Sequence, residues 1–195
     1  MSFDREVALE RAMLTFWRYG YETTSINDLT AAMGITAPSI YTAFGDKKQL
    51  FLEAMHLYAG SSKDLRRLLE GAETARDAAH AMLIGAAESF TGKNTPPGCL
   101  LASATASGSA ASADVQAAVT AVRSGILNQL RMRILRDVQA GVLPGDTDAS
   151  ALAAFVIALI QGMSVLARDG MKRNALKAMI DVSMTGWPNA NLRLD

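Results

Sequence analysis

Apolar residues recur every three or four positions along almost the whole chain and rarely alternate with polar ones. Val7, Leu9, Ala12, Met13, Phe16 and Trp17 form one such stripe, ended by Gly20, and Ile26, Leu29 and Met33 form another, ended by Gly34. This is the period of amphipathic helices, not of strands. It predicts helices over residues 3–19, 26–33, 37–43, 47–70, 74–92, 98–107, 113–140, 148–169 and 171–186. The breaks fall where the composition breaks: TGKNTPPG at 91–98, GSAAS at 108–112, Gly141, Pro144-Gly145 and Pro188. The predicted fold class is all-α. A three-helix domain over residues 1–46 is joined by the long helix 47–70 to a second helical domain that runs through residue 195.

The stretch SINDLTAAMGITAPSIYTAFGDKKQL at 25–50 is the most specific part of the pattern. Ser25 and Asp28 make a capping-box-like pair ahead of an apolar triad. Gly34 suits a left-handed helix end, and Thr36 and Pro38 suit a new start. Ile40, Tyr41 and Phe44 carry the second helix, Gly45 closes it, and Asp46 caps the next at Lys47. Helix, glycine-containing turn, helix is the helix-turn-helix arrangement, whose second helix enters the DNA major groove. A plain helical corner explains the glycine and the apolar spacing but not Tyr41 and Phe44 followed by two lysines.

Charge gives this expectation no help. The 195 residues carry 19 Lys plus Arg against 19 Asp plus Glu, and the first 58 carry five basic against seven acidic. Binding must therefore rest on a few placed contacts, which backbone N–H groups, hydroxyls and helix N-termini also supply. The one cysteine, Cys99, excludes an intrachain disulfide. His56 and His80 stand apart from other ligands or nucleophiles, so no metal, cofactor or catalytic group is expected. The start has no signal-peptide pattern, which makes a cytoplasmic protein the expectation. ASALAAFVIALIQGMSVLA at 149–167 lacks charge and approaches spanning length. Gln161, Gly162 and two serines interrupt it, and it is read as a buried helix.

Residues 8–58 resemble the N-terminal DNA-binding domain of TetR-family transcriptional regulators. The likeness rests on Ala8 to Phe16, Gly20-Tyr21, Thr24-Ser25, Leu29, Gly34-Ile35-Thr36, Ile40-Tyr41, Phe44, Asp46-Lys47 and Leu50-Phe51. Thr30 and Met33 depart from it, standing where the family commonly has alanine at the crossing of the two motif helices. The resemblance implies a helix-turn-helix repressor with a C-terminal effector-binding and dimerisation domain.

The recognition helix holds no Arg, Lys, Asn or Gln, so a bidentate contact to guanine is unavailable. Groove-facing candidates are Thr36, Ala37, Pro38, Ser39, Tyr41 and Thr42, with Ile40 and Phe44 turned to the core. Hydroxyls, apolar contact with thymine methyls and DNA shape must do the reading. Thr24 and Ser25 start the first motif helix, where hydroxyls and free N–H groups face a phosphate. Lys47 lies at a helix N-terminus, so charge and dipole act together. Arg18 is a further candidate for a phosphate, and Lys48 a weaker one. The resemblance implies that Tyr41 and Lys47 touch the phosphate backbone, with Thr24, Thr36 and Thr42 helping.

The helix at 148–169 is too apolar for the short 171–186 helix alone to cover. A two-fold, four-helix interface between two copies solves this, and the family dimerises in the same way. The family's effector pocket implies lining residues Met82, Phe90, Leu101, Met132, Phe155 and Met163, with Cys99 beside them. With Glu88 as the one ionisable residue near those runs, the expected effector is uncharged or weakly polar. Cys99 also offers an alternative. After Gly98 at a helix start, the dipole would favour a reactive thiolate and make the protein a sensor of electrophiles or oxidants. The leading expectation is a ligand-responsive homodimer that leaves a pseudo-palindromic DNA operator when a small molecule binds. A helical interaction protein without DNA binding is the remaining alternative.

Overall fold

The computed structural model describes residues 3–104 and 112–189, and every regular element among them is helical. α1 (Arg5–Tyr19) begins at Asp4, whose carboxylate accepts from the N–H groups of Glu6 and Val7 at 2.9 and 3.2 Å. α2 (Ile26–Met33) opens on the expected capping box: Ser25 Oγ accepts from Asp28 N, and the Asp28 carboxylate accepts from Ser25 N at 2.8 Å. Gly34 ends it at φ +70°, a backbone position that other residues reach at a cost. α3 (Ala37–Phe44) is capped by Thr36, and α4 (Lys47–Ala59) by Asp46.

The helix predicted over 47–70 is two helices. α4 stops at Gly60, φ +69° and ψ −174°, and α5 (Ser62–Gly71) starts afresh. A stiff rod through residue 70 is therefore absent. The physical reason is the Gly-Ser-Ser run at 60–62, which favours a break, while Leu57, Leu65 and Leu68 keep a helical period on either side of it. α6 (Ala75–Phe90) follows. Of the helix predicted from 98 to 107, residues 105–107 lie outside the described residues, and the described part holds one turn, α7 (Leu100–Ser103), whose Ser103 hydroxyl turns inward onto Trp17 O at 3.2 Å and Cys99 O at 2.9 Å. The break predicted at 108–112 lies almost wholly outside the described residues. α8 (Ala113–Gln139), α9 (Ala149–Arg168) and α10 (Arg173–Thr185) complete the chain. Asp148 caps α9, accepting from Ser150 N and Ala151 N.

The chain divides into two compact units, residues 1–61 with 99–122 and residues 62–98 with 123–195. The first unit thus takes in α4 and the 99–122 segment as well as the helices before residue 46. Its core joins α1, α2, α3 and α4 through Phe16, Leu29, Ile40, Leu50 and Phe51, all fully buried. Phe16 and Phe51 meet edge to face at 5.2 Å, and Trp17 meets Tyr58 at 4.7 Å. Such pairs add to simple burial.

In the second unit α6 packs on α9 and α10 through Ala79, Leu83, Ala87, Val156, Met163 and Ile180. A buried ion pair fixes the α5–α6 connection. Arg133 pairs with Asp137, and its other N–H groups donate to Leu69 O, Ala72 O and Glu73 O at 2.9, 3.2 and 3.1 Å. Asp137 Oδ2 accepts from Ala75 N at 2.6 Å. α9 departs from its reading as a buried helix. Its apolar window has a mean hydropathy of 2.1, yet only 28% of it is buried within the chain. Phe155 and Val165 on α9 and Val182 on α10 are 48, 56 and 72% exposed.

Candidate nucleic-acid interface

α3 presents two faces. Ile40 and Phe44 are buried, as their helical spacing requires. Pro38, Tyr41 and Thr42 are exposed, Ala37 and Ser39 are half-buried, and Thr36 is exposed at the cap. Thr36 Oγ1 and Ser39 Oγ lie 2.9 Å apart, and Ser39 N donates to Thr36 Oγ1 at 3.4 Å. Thr42 Oγ1 donates to Pro38 O at 2.9 Å, so its oxygen lone pairs remain for an outside donor. Tyr41 is 51% exposed. The outer face therefore carries hydroxyls, a proline ring and a phenol, and no charge.

The cationic part comes from α4. Lys47 is half-buried, with Nζ 4.6 Å from the centre of the Tyr21 ring and 3.5 Å from Glu22 O. Burial pulls its pKa below the usual lysine value, against the opposing pull of Glu22 and Asp28. Tyr21 is raised, chiefly by burial and then by Asp46 and Glu22. The Asp28 carboxyl is lowered by its hydrogen bonds with Ser25 and to a lesser degree by Lys47. Ser25, Asp28, Tyr21 and Lys47 are thus one electrostatic cluster, where the start of α4 meets the turn leading into α2.

Two predicted contacts look different in the structure. Thr24 is 1% exposed, and its hydroxyl donates to Gly20 O at 2.6 Å. It braces the turn and cannot offer that hydroxyl to a phosphate. Lys48 donates to Asp114 Oδ2 at 2.6 Å, which raises the lysine and lowers the acid. Their separation of 66 residues left no sequence signal for this pair. Tyr21 was also missed as the ring on which Lys47 rests. Arg18 is exposed and lines an open groove of about 870 Å³ with Arg11, whose own guanidinium donates to Met33 O at 3.3 Å.

The residues named for an effector pocket fall in both units. Met82, Phe90 and Met163 are buried in the second unit, whereas Cys99 and Leu101 are buried in the first. Met132 and Phe155 are about half exposed, at 53 and 48%, and Met132 lines a half-open groove of about 330 Å³ with Arg66, Leu69 and Arg133. Helical spacing gave their period but not which face the chain covers. Glu88 pairs with Lys177 at 3.1 Å. Cys99 is 5% exposed and caps a helix of four residues, so neither an accessible thiol nor a helix dipole of useful length is present. His56 and His80 are exposed, and among the described residues no cluster of three or more His, Cys, Asp or Glu could hold a metal.

Two family models match the chain. One is described as bacterial regulatory proteins, tetR family, and matches residues 8–54. The other is described as tetracyclin repressor-like, C-terminal domain, and matches residues 80–182. The HTH-type transcriptional repressor ComR of Escherichia coli (strain K12) is 31% identical over 188 residues, 95% of this chain and 90% of that protein. Among solved structures, a cysteine mutant of the TetR family transcriptional regulator CifR, complexed with 26-bp double-strand operator DNA, has a TM-score of 0.90 at 38% identity. The match covers 96% of this chain and 98% of that one. A putative TetR transcriptional regulator from Rhodococcus sp. RHA1 has a TM-score of 0.65 at 36% identity, covering 95% of this chain and all of that one.

Proposed function

The chain belongs to the TetR family of bacterial regulatory proteins, and from that premise we propose how its own residues hold and release DNA. It is a DNA-binding transcriptional regulator that works as a homodimer with double-stranded DNA and a small-molecule effector as partners. The observation that carries the residue assignment is the uncharged outer face of α3 beside the Lys47 cluster. Thr36, Ser39 and Thr42 offer hydroxyls to base edges, and Ala37 and Pro38 offer apolar contact to thymine methyls. Tyr41 and Lys47 grip phosphates, the latter at a helix start where free N–H groups add to the attraction; Ser25 is taken up by the α2 cap, its hydroxyl donating to the Asp28 carboxylate at 2.6 Å. With no base-reading cation, specificity leans on groove shape and deformability as well as on direct contact.

The exposed apolar faces of α9 and α10, with Phe155, Val165 and Val182, form the dimer seam, and Gly162 permits close approach there. Two recognition helices about 34–36 Å apart then read two half-sites of a pseudo-palindrome. The effector is uncharged or weakly polar and sits among Met82, Phe90 and Met163. It lowers operator affinity by binding better to a dimer geometry with the wrong spacing, which makes the protein a repressor released by its ligand. The action is binding and not catalysis, and its place is the cytoplasm, with the DNA.

Footprinting of the purified protein on the DNA flanking its own coding region tests this. Protection of a two-fold site, lost in Tyr41→Ala and weakened across all sequences in Lys47→Met, supports the assignment. Protection that is indifferent to both substitutions refutes it.

A further inference from the structure

The side chains assigned to read bases from α3 are short. Thr36, Ala37, Pro38, Ser39 and Thr42 reach a base edge only if the helix backbone is itself in place, whereas a long Arg or Gln can swing to follow a displaced base. α3 has eight residues and buries only Ile40 and Phe44. A helix this short has little stability of its own and takes its direction from what holds its two ends. The Gly34 turn and the Thr36 cap hold the first end.

The last end is held from α1. Arg5 Nη2 donates to Ala43 O at 3.3 Å, one of the carbonyls that the end of α3 leaves without a partner inside the helix. The Arg5 guanidinium carbon lies 4.4 Å from the centre of the Phe44 ring. Glu53 on α4 orients the guanidinium, accepting from Nη2 on both carboxylate oxygens at 2.9 and 2.7 Å. A cation is favourable at a helix C-terminus, and a planar guanidinium can stack and donate at once. The Arg5 and Glu53 side chains are 48 and 37% exposed, and an ion pair this open contributes little to folding. Its consequence is local: it ties together the start of α1, the end of α3 and the middle of α4.

We infer that Arg5 is a positioning residue for operator recognition. Oriented by Glu53, it fixes the C-terminal end of α3 through Ala43 O and the Phe44 ring, and it touches no DNA itself. The inference rests on the assignment of α3 as the helix that reads DNA.

The test is fluorescence anisotropy of the full-length protein on a duplex carrying the site footprinted beside its coding region, and on the same duplex with scrambled half-sites. Each variant is measured where its circular dichroism matches that of the wild type. Arg5→Lys keeps the charge and loses the planar fork. Its operator affinity should fall about tenfold, with the affinity for the scrambled duplex and the salt slope unchanged. Glu53→Ala removes an acid from the DNA-binding unit, so electrostatics alone would tighten binding to both duplexes. A loss of operator affinity by a few-fold is expected instead, with the double variant no weaker than Arg5→Lys alone. An unchanged ratio of the two affinities in Arg5→Lys overturns the inference, and so does tighter operator binding in Glu53→Ala. Tyr41→Ala separates this inference from the assignment it rests on. Operator preference lost in Tyr41→Ala but kept in Arg5→Lys overturns the positioning role alone, and preference kept in both overturns the assignment of α3 as well.

Discussion

Replacing Lys47 with methionine removes the ammonium that lies over the Tyr21 ring and keeps most of the aliphatic stem. Side-chain volume is nearly kept, so the substitution tests electrostatics, the cation–π contact with Tyr21 included, more than packing. Nothing on α3 can compensate, because that helix carries no cation. If each Lys47 neutralises one phosphate, a dimer releases two counterions through this residue. The slope of log K against log salt should then be shallower by about 1.8. At about 0.15 M salt this amounts to roughly a 30-fold weaker complex, or about 2 kcal/mol. The assay is fluorescence anisotropy on the footprinted site, from about 0.05 to 0.3 M salt. Lys48→Met is the internal comparison. Its ammonium is already matched by Asp114, so its slope should change far less. An unchanged slope for Lys47→Met refutes the placement of a phosphate at this lysine, and the full effect appearing in Lys48→Met would mean that the Asp114 pair opens on DNA.

Two further outcomes follow from side chains whose partners are visible. Asp137→Ala leaves the Arg133 guanidinium and Ala75 N–H buried without their partner, so unfolding should become easier by about 3–5 kcal/mol, measured by denaturant titration. The double variant Arg133→Met with Asp137→Leu should recover much of that, and a double variant worse than the single one counts against a desolvated pair. Asp28 is lowered by its bonds to Ser25, so its capping contribution is present above the ordinary carboxylate range and fades as the pH falls through the lowered value. The gap in thermal midpoint between wild type and Asp28→Asn should therefore close as the pH is taken from about 6 to 2, and a gap that is constant with pH contradicts this origin.

The local chemistry of the first 50 residues was largely legible. Ser25 with Asp28, Gly34, Thr36, Gly45 and Asp46 are caps whose geometry depends on near neighbours in the chain, and the structure puts each at the helix end expected of it. The Gly60 break was hidden because the leucines on either side keep a helical period, and periodicity outvoted one glycine. Thr24 was misplaced because the choice between facing a phosphate and bonding to Gly20 O lies in the path of the turn, not in the residue type. The posture of Lys47 on Tyr21 and the Lys48–Asp114 pair join residues 26 and 66 positions apart, where spacing says nothing. In α9 nearly every face is apolar, so spacing could not select Met163 for the interior and Phe155 for the surface. Burial does select them, at 0 and 48% exposure.

The break at Gly60 also changes where stiffness resides. The chain passes between its two units after residues 61, 98 and 122. The first passage follows the glycine that ends α4, and the second adjoins Gly98 at φ +80°. Only the third lies inside a helix, α8, whose early turn carries the Asp114 that holds Lys48. The helix through which the backbone passes from one unit to the other is therefore α8, not the helix expected over 47–70. The weakest residue of that helix is Gly125, and a Cβ built there meets nothing within 4 Å. Gly125→Ala should consequently stabilise the protein by about 0.5–1 kcal/mol, because it restricts the unfolded chain and favours helix without a clash. Amides of residues 121–127 should exchange more slowly in the variant, on the scale of a few-fold, as seen by hydrogen-exchange mass spectrometry. If α8 is frayed or broken across residues 122 and 123 in solution, the substitution leaves exchange in that segment fast, and a continuous helix through this passage is refuted.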